Sequence, residues 1–375
     1  MLVKIVFLAL VIIAAFAWKA HATDRPDEVI SKLRHRCLAI LVQAVTSENA
    51  FVRSAAVRAA GESNDPSLIP LIKKVASDIS PTARLFALQA LKKISLQQTA
   101  ALARELLDDS DAWVRGAALE ALGDLGAKDS LEAIGANLRA ADETVRLSAA
   151  YALVKLGEKD AFAVIVDGLK GNDTARKYPA IGYLGKIGSE EALSHLQRLL
   201  DDPEDEIVFY SLKAIGENGS GEMLNVLDRL LSHKNPSIRQ QAAQALAGSP
   251  PGPTRKRVHL LCLDEDWMVR ISASVAMKRM GTDSCQGNFE KALEHSDYGI
   301  RSTAARVLGE TKVKNRVALL EKALSDTNVR VRTAATRAVG MMGGAEAFPL
   351  LVRMLDDPQE AIRAYAAGNL IKLTQ

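Results

Sequence analysis

Recognisable catalytic motifs are what this 375-residue chain lacks. It has no glycine-rich phosphate loop, no nucleophile elbow and no pair of carboxylates set apart for acid–base work. The acidic stretch Asp201, Asp202, Glu204, Asp205, Glu206 reads as loop and helix-cap charge. An excess of either charge is missing too: 48 basic residues stand against 45 acidic ones, a formal net of +3. That balance excludes the global basic footprint of a nucleic-acid binder. A membrane-length apolar run is also absent from the N-terminus. Ile5 to Trp18 has 14 residues, which as a helix reach about 21 Å at ~1.5 Å each, short of a hydrocarbon core of roughly 30 Å.

That run fits another purpose. Lys4 precedes it and Ala20-His21-Ala22 follows it as an A-x-A cleavage site. Residues 1–22 are therefore expected to be a secretory signal peptide, cut after Ala22. The expected location is periplasmic or secreted, with membrane association only if the signal stays uncleaved. Removing Lys4 and Lys19 leaves 46 basic and 45 acidic residues. The charge is uneven, with 27 basic and 31 acidic groups over residues 23–250 and 16 against 10 over 251–343. The later part is thus the candidate for meeting an acidic partner or an anionic membrane.

What the chain has in plenty is one pattern, clearest at Asp111 to Gly126, DAWVRGAALEALGDLG. Asp111 can cap a helix, because its carboxylate accepts from the unpaired N–H groups of the first turn. Val114, Ala118, Ala121, Leu122 and Leu125 recur at helical spacing, and Gly126 suits the residue that ends a helix. The stretch returns every 31 residues without insertion or deletion. Arg115 belongs to the series Arg53, Arg84, Arg115, Arg146, Lys177, Val208, Arg239, Arg270, Arg301, Arg332, Arg363. Three residues on, Ala56 to Ala366 recur in every repeat, with Ser211 in the sixth. Nine of eleven caps are Asp, Asn or Ser; Glu204 and Gln359 are the exceptions. A weaker helix precedes each of these, as Leu224, Leu227, Leu230 and Leu231 show in the seventh repeat. One such pair cannot bury both stripes, so neighbours must stack.

The motif D-x-x-V-R-x-x-A-A-x-A-L-G-x-x-G resembles the HEAT repeat, in the short 31-residue form shared with the HEAT-like repeats of phycobilin lyases. The resemblance spans Arg34 to Thr374, after a lead-in helix over residues 23–33. It implies an all-α fold, a right-handed α-solenoid of eleven helix pairs whose second helices line a concave binding face. No cofactor or metal is expected. Deoxyhypusine hydroxylase, an enzyme similar in architecture, binds a di-iron centre through His-Glu pairs, and no His here is followed by Glu. His233 and His295 share a repeat position two repeats apart, on the order of 20 Å at helix-packing spacing, too far to share a metal.

Three places depart from the pattern. Pro179 falls inside a second helix and should kink it. Val208 replaces the repeated Arg. The stretch 248–253, GSPPGP, replaces a short turn and could bend the array. Of the three cysteines, Cys262 occupies a position held by Leu elsewhere and reads as a buried thiol. Cys37 and Cys285 lie eight repeats apart. Cys262 with Cys285 is the only plausible bridge, and their places near opposite helix ends argue against it.

The positions one, five and eight after the Arg site are expected to face away from the core. They hold Leu147, Tyr151 and Val154 in repeat 4, and Tyr178, Gly182 and Gly185 in repeat 5. Repeat 6 adds Phe209 and Lys213, repeat 8 adds Ile271 and Val275, and repeats 9 and 10 add Arg306 and Arg337. Contiguous exposed apolar and aromatic residues mark a partner-binding patch, with the two glycines leaving room beside Tyr178. The leading expectation is an exported, non-enzymatic scaffold that binds a partner protein on its concave face. A chromophore-handling enzyme like the phycobilin lyases is the alternative, opposed by the signal peptide because those act in the cytosol. Nucleic-acid binding is the third reading, opposed by the near-neutral charge.

Overall fold

The computed structural model describes residues 26–171, 173–216, 224–248 and 253–375. The expected signal peptide and most of the expected bend at 248–253 lie outside them. Every regular element among the described residues is helical. The second helices, labelled by repeat, are α1 (Ala50–Ser63), α2 (Pro81–Ile94), α3 (Ala112–Asp124), α4 (Glu143–Leu156), α5 (Thr174–Ile187), α6 (Asp205–Gly216), α7 (Pro236–Ala245), α8 (Trp267–Arg279), α9 (Tyr298–Leu308), α10 (Val329–Met342) and α11 (Glu360–Leu373). Their starts obey the expected chemistry. The side chains of Asn49, Asp111, Asp142, Asp173, Asn235, Asp266, Asp297 and Asn328 each accept a first-turn N–H. Ser80 and Gln359 make no such bond. The α5 helix runs on through Pro179.

The series from Ala56 to Ala366, Ser211 included, is fully buried. The repeated arginine has a more specific role than a packed stem. Arg53 Nη1 donates to the carbonyls of Ser47 and Glu48, the last groups before its own helix. Arg115, Arg146, Arg239, Arg301, Arg332 and Arg363 repeat that grip on the carbonyls five and six residues back. Four of these arginines also reach a carboxylate 25 residues ahead, on the next repeat: Arg53–Asp78, Arg239–Asp264, Arg301–Asp326 and Arg332–Asp357. Each of these four guanidinium groups thus satisfies loop carbonyls and ties one repeat to the next. Val208 cannot do this; there Asn235 Nδ2 donates to Asp205 instead, at 2.9 Å.

The chain forms two compact units. Unit 2, Ala103–Glu294, holds repeats 3 to 8. Its second helices pack on their successors, closely where glycine allows: a Cβ on Gly123 would sit 2.6 Å from Ala152 Cα, and one on Gly185 2.7 Å from Ala214 Cβ. Between α4 and α5 the small-residue contact is replaced. Tyr183 stands where the neighbouring repeats have Ala152 and Ala214, and its buried ring stacks on Tyr151 at 5.0 Å.

Unit 1 comprises the residues up to Leu102 and from His295 onward, with repeats 1, 2 and 9 to 11. Within it α1 packs on α2, α9 on α10 and α10 on α11. It also contains a contact that a linear array does not supply: α11, the last helix, packs along α1, and the helix Pro26–Ala44, in which the expected lead-in and the first helix of repeat 1 are continuous, packs on α11 as well. A Cβ on Gly368 would lie 2.4 Å from the Ala59 carbonyl oxygen, a closer approach to backbone than at Gly61 or Gly123, where it is 2.6 Å. Arg36–Asp356, Arg337–Glu62 and Ser47–Glu360 fasten it.

The structure also corrects the cysteine reading. Cys262 and Cys285 are bridged, with their Cα atoms 6.0 Å apart. The helix after Cys285 is short, Gly287–Leu293, and turn replaces its expected first residues. That brings the Cys285 stretch to the end of the preceding repeat's first helix, where Asn288 Nδ2 donates to the Cys262 carbonyl at 2.9 Å. Cys37 is free and buried, and burial pushes its thiol up to about 12.

Candidate partner-binding surfaces

The expected row of exposed residues divides. Leu147, Tyr151 and Ile271 are not exposed; 2%, 2% and 1% of their surface meets solvent. Leu147 packs under Gly168, against which its Cδ2 would stand 3.0 Å from an added Cβ. Tyr151 is covered by Tyr183, and its hydroxyl donates to Asp124. Gly185 leaves no room beside Tyr178, because Ala214 fills it, whereas Gly182 faces open space.

The covering side chains form a network in unit 2 that runs from the buried Tyr183 to the exposed Lys186. The Tyr183 hydroxyl donates to Glu120 at 2.7 Å and meets the Ser148 hydroxyl. Lys186 pairs with Glu120 and lies over both tyrosine rings, at 5.3 and 5.6 Å. Burial raises both tyrosine hydroxyls far above their usual range; next in effect are the hydrogen bond to Asp124 for Tyr151 and the charge of Glu120 for Tyr183. Glu120 and Lys186 stand two repeats apart, so long side chains on α3 and α5 converge across α4.

Tyr178 and Phe209 keep partial exposure, and Lys213 is exposed. They meet through a residue that the sequence reasoning passed over, Tyr210. Its ring lies 4.1 Å from Tyr178 and 5.3 Å from Phe209, edge-on to the latter. The Tyr178 hydroxyl donates to Glu206, and that bond, ahead of burial, pushes it up to about 12. Lys213 follows Phe209 by one helical turn, on the same side of α6. The available signal for Tyr210 was the run Phe209-Tyr210, immediately after Val208, where the repeated arginine is missing.

Arg306 and Arg337 belong to unit 1. Both line an open groove of about 640 Å³. Arg306 is exposed and has no partner among the described residues. Arg337 is half-buried, pairs with Glu62 at 2.6 Å and lies 5.2 Å over the Tyr365 ring. Burial opposes its charge, but Glu62 raises its pKa overall. Three exposed apolar side chains share the groove: Phe51 (65%), Val329 (41%) and Met341 (48%).

The acidic stretch and the histidines have structural partners. Asp201 pairs with Arg229, Asp202 caps the Glu204 N–H, and Glu206 holds Tyr178. His233 and His295 accept a backbone N–H two residues on through Nδ1, the bond that Asp264 and Asp326 make in other repeats. Among the described residues no three His, Cys, Asp or Glu side chains gather as a metal site.

A sequence profile described as HEAT repeats matches residues 69–153, 131–215 and 286–371, more than half of the chain. The chain belongs to the HEAT-repeat family. No curated protein matches this HEAT-repeat chain. Among solved structures it is similar to an engineered protein, at 19% identity and a TM-score of 0.32, over 89% of this chain and 98% of that one. It is similar to human deoxyhypusine hydroxylase in complex with glycerol, at 22% identity and 0.33, over 67% and 98%. It is similar also to Kap121p, at 13% identity and 0.40, over 96% of this chain and 50% of the other. Likeness at this identity concerns the fold alone.

Proposed function

We propose that this HEAT-repeat protein is an exported, non-enzymatic scaffold that binds another protein across α5 and α6. The observation that carries the reading is the contiguous ring cluster of Tyr178, Tyr210 and Phe209, partly open to solvent and flanked by Lys213. Rings clustered on a rigid helical surface are the usual anchors of protein interfaces, since they bring large area at small entropic cost. Lys213 beside them would set the orientation of an acidic neighbour more than the affinity.

Export is part of the proposal. The A-x-A site behind the apolar run at the N-terminus supports it. The bridge between Cys262 and Cys285 supports it independently, because disulfides persist in oxidising compartments and are rare in the cytosol.

The test uses the full-length protein in its native envelope, with a photo-crosslinking aromatic residue in place of Phe209. A discrete cross-linked protein species is expected, and its yield should fall when Tyr178 is also replaced with Ala. No cross-linked species, or capture indifferent to Tyr178→Ala, would remove this surface from consideration.

A further inference from the structure

The groove in unit 1 is built across the junction of the first and last repeats. Asn49, Phe51 and Val52 come from the cap and start of α1; the rest of the wall comes from α9 and the turn after it, α10 and the start of α11. Its floor is regular. Ser302 and Arg306 lie four residues apart on α9, with Glu310 in the turn just beyond it, and Val329, Thr333, Arg337 and Met341 keep the same spacing along α10. Residues four apart share a helix face, so these rows present two parallel lines of side chains. Twelve residues along α10 measure about 18 Å at ~1.5 Å each, the length of a three-turn helical segment.

The chemistry of the rows is mixed in a particular way. Arg306, Arg330 and Arg337 line the groove against a single carboxylate, Glu310. Arg306 has no partner among the described residues, and Arg330 only stacks over the Tyr298 ring at 5.5 Å and reaches its hydroxyl at 3.4 Å. Arg337 gives its Nη2 to Glu62, while its Nε is buried without an acceptor. Between the arginines stand Phe51, Val329 and Met341, exposed and uncovered. A polyanion would leave those three in water, and an apolar peptide would leave the arginines unmatched. A segment with carboxylates on one edge and aliphatic residues on the other matches both.

We propose that this groove binds an acidic, amphipathic helical segment of a partner protein, with Arg306 and Arg330 taking its carboxylates and Phe51, Val329 and Met341 its apolar face. The proposal rests on the reading that the array binds protein, and it concerns a surface separate from the ring cluster. Arg337 gives the site a second property. It is held by Glu62 of α1 while lying over Tyr365 of α11, so it belongs at once to the groove and to the contact between first and last repeats. A segment seated in the groove touches both sides of that contact and holds them together, so occupancy should raise the stability of unit 1.

The experiment is fluorescence polarisation with a labelled synthetic helical peptide of about 15 residues, roughly four turns, carrying Glu on one edge and Leu on the other. Two control peptides replace every Glu by Gln or by Lys. The full-length protein is expected to bind the Glu peptide, to bind the Gln peptide at least roughly tenfold more weakly, and to lose affinity for the Glu peptide as salt rises. Arg306→Glu with Arg330→Glu should cost at least about tenfold for the Glu peptide and should create binding of the Lys peptide. Arg306→Glu alone, at an exposed position without a partner, serves if the double variant folds poorly. Equal binding of Glu and Gln peptides, no binding of the Glu peptide, or indifference to the charge reversals would each overturn the groove as an acidic site. Cross-linking from Phe209 in the native envelope is untouched by these substitutions, so failure here leaves the scaffold reading standing and failure there leaves this one testable.

Discussion

Arg239 holds Asp264 through two hydrogen bonds of 2.8 Å, from Nε and Nη2, across 25 residues of chain. The same carboxylate accepts the Asp266 N–H, and the same guanidinium caps the His233 and Lys234 carbonyls. Two repeats are joined at one nearly buried pair, 10% and 7% exposed at the side chains. Asp264→Ala should lower stability by about 2–4 kcal/mol, because the guanidinium stays buried without its partner. Urea denaturation measures it. A change near zero would mean that the pair only decorates the repeat boundary.

Acid should undo the same clamps. Hydrogen bonding by Arg53 is the largest influence on Asp78 and holds its carboxyl below the usual range. For Asp264 and Asp326 burial acts in the opposite direction, but the arginine bonds win and their carboxyls also fall below it. A depressed folded value stabilises above the unfolded value of about 3.9 and is lost as pH falls through the folded value. Melting temperature should therefore drop progressively below about pH 4, with a shallower drop in Asp264→Asn. An equal drop in that variant would assign the acid sensitivity elsewhere.

Two glycines of α5 should respond in opposite senses to alanine. Gly182 faces open space in mid-helix, so Gly182→Ala should stabilise by about 0.5–1 kcal/mol. Gly185 would push a methyl to 2.9 Å from the Ala214 backbone, so Gly185→Ala should destabilise by about 1–3 kcal/mol. Thermal melts of the pair decide it; the same sign for both would contradict the close approach of α5 and α6.

The 31-residue period, the caps and the buried Ala series were legible because each depends on neighbours within one helix pair and is written eleven times. The fate of Tyr151 was not. Its position faces outward by helical geometry, and only Tyr183, one repeat on and large where its counterparts are Ala, turns it into a buried ring. Leu147 and Ile271 failed for a related reason: a wheel drawn on one helix does not contain the next. Cys262 and Cys285 met because one helix is shorter than its repeat implies. The contact of α11 with α1 had no local mark beyond Gly368, a glycine among many. Arg306 and Arg337 were placed on one surface because they occupy equivalent positions on successive repeats, and that relation survives folding.

Reduction should loosen repeats 8 and 9. The Cys262–Cys285 bridge closes a loop with a sequence separation of 23, and removing it should cost about 3 kcal/mol in the chain-entropy account. Melting with and without reductant measures the cost, and intact mass after alkylation should show one free thiol only in denaturant, since Cys37 is buried. Three alkylated cysteines in unreduced, denatured protein would show that the bridge does not form.

Tyr183 should be more costly to remove than to trim. Tyr183→Phe keeps the stacked ring and loses the bonds to Glu120 and Ser148, for about 1–2 kcal/mol. Tyr183→Ala empties the space between α4 and α5, for about 3–5 kcal/mol, and should uncover Tyr151. Rising accessibility of Tyr151 to iodination in Tyr183→Ala checks the second point.

The packing of α11 on α1 alters what an end means in this protein. In a linear array the outermost repeats wear a polar outer face, and a repeat can be added or lost there at the expense of one neighbour. Here α11 is buried over most of its length, from Ala361 to Ile371, against α1, far earlier in the sequence. Deleting the final repeat would bare the first one. The interface that completes unit 1 needs both α1 and α11, so a polypeptide cut before α11 would carry an unprotected apolar face on α1, open to proteases.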